Sequence, residues 1–130
     1  VVEHAGAGRF VAVAHSFGAL AVVAHLLDQA DSPIAAALLV APADPDKFGL
    51  GETLARRPVP RPVTLVVSSS DPWLAAPAAA RWAARWGCPV IQLGAAGHVN
   101  VESGHHELPL AERWWLAAAA RIRRQAALAA

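Results

Sequence analysis

The chain has 130 residues, 55% of them hydrophobic and 16% charged, with a formal net charge of +1. That balance excludes a disordered polymer and gives residues 1–130 the character of one domain around a single core, much of it alanine. It supplies no field that would make nucleic acid or an anionic membrane the main partner, so function must come from a site.

The glycines Gly6 and Gly8 precede Arg9-Phe10-Val11-Ala12-Val13-Ala14, a short apolar run without strict alternation, which predicts a central parallel strand buried on both faces. From Phe17 to about Asp28 the spacing of Leu20, Val23, Ala24 and Leu27 predicts a helix, ended by the polar stretch from Asp28 to Pro33. Ile34 to Val40 reads as a second strand, and the proline-, glycine- and charge-rich stretch from Ala43 to Pro62 as a long functional loop. A third strand, Pro62 to Val67, stops at the turn-rich Ser68-Ser69-Ser70-Asp71-Pro72.

Pro77 suits the start of a helix with an apolar stripe of Ala78, Ala79, Trp82, Ala83 and Trp86, and Gly87 suits its end. Pro89 to Leu93 is the fourth expected strand. A glycine-bearing loop from Gly94 to Pro109 carries His98, and Ala111 to about Ala127 forms a last helix with Trp115, Leu116, Ala119 and Ile122 inward. Strands alternating with helices predict parallel pairing in a three-layer α/β/α sandwich.

Single cysteine usage, Cys88 alone, rules out an internal disulfide and suits a reducing compartment such as the cytoplasm, with the thiol expected buried and inert. The apolar runs are strand-sized or broken by charge and proline, so no membrane span is expected. The chain has no methionine and opens at Val1 in a stretch that reads as helix or loop. It is therefore expected to be the later part of a longer protein, with any targeting segment out of view.

In an open parallel sheet, sites gather beyond the carboxyl ends of the strands. Three chemistry-bearing residues fall there: Ser16, Asp71 and His98. Ala14-His15-Ser16-Phe17-Gly18 lies between a strand and a helix and matches the nucleophile elbow G-x-S-x-G, with Ala14 for the first glycine. Such a turn exposes the serine oxygen and aims the next backbone N–H, that of Phe17, at a developing oxyanion. The serine alone is equally an ordinary helix N-cap, Asp71 a turn aspartate and His98 a loop histidine. Their joint placement, in the chain order Ser, Asp, His, is what points to acyl transfer. Asp44 also follows a strand and is the rival for the acid.

Three motifs carry a resemblance to the small serine hydrolases that include retinoblastoma-binding protein 9 and the YdeN-like proteins. They are Val13-Ala14-His15-Ser16-Phe17-Gly18, then Leu39-Val40-Ala41-Pro42-Ala43-Asp44, then Ser69-Ser70-Asp71-Pro72 with Gly97-His98-Val99-Asn100 and Ser103-Gly104. The likeness covers nearly the whole chain, although the family often continues with a glycine and a Trp-Pro pair where this chain has His105-His106-Glu107-Leu108-Pro109. It implies an α/β-hydrolase fold and favours Asp71 over Asp44, while the triad reading itself leads to hydrolysis of a small ester, thioester or amide, with no cofactor or metal expected. The likeness also implies an upstream portion bearing further strands and the other oxyanion donor. Without that portion, Phe10 to Ala14 is expected at an exposed sheet edge. A protein-binding module on a hydrolase scaffold and a catalytically inactive fragment are the alternative readings.

His15 is expected to pack or to support the site from behind. Glu102, His105, His106 and Glu107 lack the helical spacing of a zinc motif and read as a solvated loop. Trp82, Trp86 and Trp115 read as core anchors, Trp73 as a border of the acyl pocket, and Arg121, Arg123 and Arg124 as solvated groups near a helix C-terminus.

Overall fold

A computed structural model describes residues 1–6 and 8–129. Five strands form one sheet in the order β1-β2-β3-β4-β5: Val2–Gly6, Arg9–His15, Ile34–Val40, Val63–Val67 and Val90–Gln92. The last four pair in parallel, as their apolar, non-alternating sequences predict. Among the described residues four α-helices accompany them: α1 Phe17–Asp28, α2 Gly51–Leu54, α3 Ala76–Trp86 and α4 Pro109–Ala129.

Spatial order follows chain order from β2 to β5, so crossovers of one hand place every connection on the same face. Accordingly α1, α2 and α3 share one hydrophobic cluster with Ala12, Ala14, Ala37, Leu39, Leu65 and Val67. The intervening residues Val11, Ala36, Leu38, Val40 and Val66 point to the opposite face, where α4 lies. Adjacent residues pointing to opposite faces, both buried, are why these strands read as continuous apolar runs. The α1–α3 face holds the heavy side chains: Trp82 and Trp86 are fully buried with ring centroids 5.0 Å apart, and Trp86 Nε1–H donates to the Leu54 carbonyl at 2.9 Å. Alanines at positions 12, 14, 19 and 37 let α1 lie close to the sheet.

Several expectations need correction. Val2–Gly6 is a strand rather than helix or loop, and it pairs antiparallel with β2, so β2 is not at the sheet edge. Gly6 and Gly8 have positive φ, 86° and 71°, as glycines beside a strand reversal can. Between 43 and 62 the chain forms a 3-10 turn, Pro45–Phe48, and the single helical turn of α2, too short to leave a periodicity. In α4 the inward stripe is Trp114, Trp115, Ala118, Ala119 and Ile122. Leu116 is exposed, because it lies roughly 130° round the helix from that stripe. Cys88 is half-buried, and burial pushes its thiol up from 9.0 to about 11. None of the described helices is long and apolar enough to cross a membrane.

Candidate active site

Ser16 closes β2 and opens α1 with φ 57° and ψ −125°, a conformation that costs a non-glycine residue about 1–3 kcal/mol. The neighbouring backbone holds it there. Ser16 N–H donates to the Val40 carbonyl at the end of β3, and its own carbonyl accepts from Ala19 and Ala43 N–H at 3.1 and 3.2 Å. This turn lifts the hydroxyl out of the sheet. It leaves Phe17 N–H at the first position of α1, where no helical acceptor precedes it and none other is found among the described residues. Ala14, buried and paired with Leu39, fits where the motif has glycine.

His98 sits in the loop between β5 and α4, and Asp71 in the loop after β4. Ser16 Oγ lies 2.7 Å from His98 Nε2, and His98 Nδ1 lies 2.9 and 3.0 Å from the two carboxylate oxygens of Asp71. The structure thus brings together all three residues singled out by chain order. The Asp71 side chain is 2% exposed and that of His98 10%, so the pair is shielded from water. With an ionised carboxylate beside it, Nδ1 carries the proton and donates, which leaves the Nε2 lone pair for the serine hydroxyl. Trp73 N–H also donates to Asp71 Oδ1, at 2.8 Å, fixing the carboxylate.

Asp44, the rival acid, instead accepts from Asp46 N–H at 3.0 Å and caps the Pro45–Phe48 turn. Its own N–H donates to the Trp73 carbonyl. Lys47 Nζ donates to the Pro72 carbonyl, so two bonds tie this turn to the Asp71 loop. Trp73 stands with its ring 6.3 Å from that of His98, and Phe17 packs edge-on against Phe48 at 5.1 Å.

Of the residues that hold the His98 loop, Ser69, Ser70, Asn100 and Ser103 stand in the motifs that carry the family resemblance and Ser68 stands just before them, but the sequence gives none of these five a loop-holding role. Ser68 Oγ accepts from Ala96 N–H at 3.0 Å, Ser70 Oγ from Gly97 N–H at 2.9 Å, and the Gly94 carbonyl from Ser69 N–H. Their signal was the serine run after β4, which reads first as a turn. Asn100 and Ser103 close the loop reciprocally, each side chain accepting from the other's backbone N–H at 3.0 and 2.9 Å. Gly97 has φ +60°, and a Cβ there would stand 2.7 Å from Ser103 Cβ. These contacts give physical reasons for the Gly-His-x-Asn and Ser-Gly pattern. His15 supports the same loop, its Nε2–H donating to the His98 carbonyl at 2.7 Å. Glu102, His106 and Glu107 are exposed, while His105 is half-buried with Nδ1 3.3 Å from Ser103 Oγ.

A YdeN-like hydrolase of Pectobacterium atrosepticum is 34% identical over 72% of this chain and 50% of its own, with a TM-score of 0.67. The fold is shared with a CIB-like hydrolase of Thermoplasma acidophilum, 20% identical over 92% of this chain and 53% of that one, at a TM-score of 0.61. It is shared also with the esterase domain of a Rhodothermus marinus protein, 19% identical over 72% of this chain and 55% of that one, at 0.55. The chain spans about half the length of these solved structures. No curated protein matches it. The profile of the serine hydrolase family matches residues 2–116, and the chain belongs to that family.

Proposed function

We propose that this chain carries the catalytic residues of a hydrolase of carboxylic esters, with thioesters and amides as further candidates. The observation that carries the reading is the unbroken line of hydrogen bonds from Ser16 Oγ through His98 to Asp71. His98 Nε2 takes the hydroxyl proton as Ser16 Oγ attacks the substrate carbonyl carbon. Asp71 holds the imidazole in the required tautomer and stabilises the imidazolium. The electron pair displaced onto the carbonyl oxygen is met by Phe17 N–H at the helix start. Collapse expels the alcohol, which receives the proton from His98, and leaves an acyl-serine. Water then attacks the acyl carbon and gives a proton to His98, which passes it to the departing Ser16 Oγ as the acid is released. Ser16, His98 and the attacking water supply every proton and electron pair, so these steps call for no cofactor.

Phe17, Phe48 and Trp73 are about half exposed, on three segments that approach the Ser16–His98 pair. Exposed aromatics of this size favour an apolar acyl or alcohol group in the substrate. They also favour the second reading, a protein partner docked over this face.

A p-nitrophenyl butyrate assay separates the two readings. The hydrolase reading predicts a burst of p-nitrophenolate stoichiometric with protein, abolished by Ser16→Ala. A folded chain that gives no burst and no turnover above the Ser16→Ala background supports the binding role instead.

A further inference from the structure

Val99, the residue after His98, has φ +52°. A β-branched side chain in that region is a genuine outlier, because Cβ crowds the backbone carbonyl. The side chain cannot swing out to relieve this, since it is buried with Leu38, Val40 and Val66 under the site. The soft alternative is rotation of the 98–99 peptide plane, which would take Val99 to negative φ and carry the His98 backbone with it. The carbonyl of that peptide is the one His15 Nε2–H holds at 2.7 Å.

The other bonds on this loop, from Ser68, Ser69, Ser70, Asn100 and Ser103, meet residues on either side of the 98–99 peptide rather than the peptide itself. Among the described residues, Val99 N–H reaches only the Ala96 carbonyl, at 3.3 Å. We infer that His15 is a positioning residue: it latches the 98–99 peptide in its strained orientation and so keeps His98 Nε2 facing Ser16 Oγ. The inference rests on the hydrolase reading above. The latch and the nucleophile are adjacent in sequence, so the elbow that presents the serine also fixes the base that activates it.

The test compares His15→Leu with His15→Gln, whose side-chain amide reaches as far as the imidazole Nε2 and restores a donor. The assay is p-nitrophenyl butyrate turnover, with thermal unfolding as the folding control. His15→Leu is expected to lower kcat about tenfold, the worth of one hydrogen bond, with KM unchanged and a single cooperative unfolding transition retained, and His15→Gln to recover most of the loss. Val99→Gly removes the strain. In that background, His15→Leu is expected to cost less than half as much on a logarithmic scale. Equal kcat in the wild type, His15→Leu and His15→Gln overturns the latch while leaving the hydrolase reading intact. So does a loss that Gln fails to rescue and Val99→Gly fails to diminish. Absence of Ser16-dependent turnover in the unsubstituted chain overturns both.

Discussion

Ser16 and His98 meet across one 2.7 Å hydrogen bond, yet the segments that carry them are held by different means. The serine stands where a strand becomes a helix, and its backbone N–H and carbonyl are both engaged by other backbone groups. The histidine stands in a loop held largely by side chains that reach backbone groups: Ser68, Ser70, Asn100, Ser103 and His15. The first arrangement follows from regular structure and tolerates Ala14 in place of glycine. The second depends on individual hydroxyl, amide and imidazole groups, each of which a single substitution removes. Strain occurs on both sides of the site, at Ser16 and at Val99, where the surrounding bonds over-determine the backbone.

The largest effect is expected at the carboxylate that orients the histidine. Asp71→Asn keeps the shape but favours the wrong imidazole tautomer, and should lower kcat by ~10⁴ without unfolding the chain. A loss below tenfold would show that His98 is not held by the carboxylate. Next comes Gly97→Ala. Its methyl group would collide with Ser103 Cβ at a backbone position of positive φ, displacing the loop by a fraction of an ångström to an ångström, for an expected ~10² loss in kcat. Combining it with Ser103→Gly, which removes the opposing atom, should recover part of that activity. A Gly97→Ala variant of normal activity would contradict the claim that the loop is tightly specified.

Ser68→Ala is a smaller change. It strips the acceptor from Ala96 N–H and Ser70 N–H at a buried position, so a destabilisation of about 1–3 kcal/mol is expected in chemical denaturation. On the elbow side, Ala14→Gly should leave turnover unchanged and cost only about 0.5–1 kcal/mol of strand stability. A larger loss of stability than that of Ser68→Ala would reverse the comparison. The smallest effect belongs to Cys88, outside both segments. Burial holds the thiol protonated, so its reaction with a maleimide at pH 8 should be slow and should leave Ser16 acylation untouched. Because the folded-state value is raised from 9.0 to about 11, the stability this neutral thiol contributes is present below pH 9.0. It is lost as pH climbs toward 11, an effect that Cys88→Ala should remove from the alkaline unfolding profile.

The same contrast explains what the sequence could reveal. β2 to β4 and the stripes of α1 and α3 are legible because burial on both faces and helical spacing write themselves into consecutive residues. Ser16, Asp71 and His98 are legible because each falls just past a strand. Strand Val2–Gly6 was hidden: only Ala5 in it is fully buried, so no apolar run marks it, and the two glycines that frame its turn were the available clue. Leu116 is hydrophobic yet exposed, because its angle on the helix turns it away from the inward stripe of α4. What Ser68 and Ser70 hold was illegible for a different reason. Ser68 and Ser70 act across a gap of 27 or 28 residues, and nothing in a serine-rich turn says which distant amide it will meet.

The most direct test of the central claim is to treat the folded chain with a fluorophosphonate and locate the adduct by peptide mass spectrometry. A single adduct on Ser16 is predicted, absent from Ser16→Ala and slowed by several orders of magnitude in His98→Ala. A folded chain that remains unlabelled, or that carries the adduct on another residue, would contradict the assignment of Ser16 as the nucleophile.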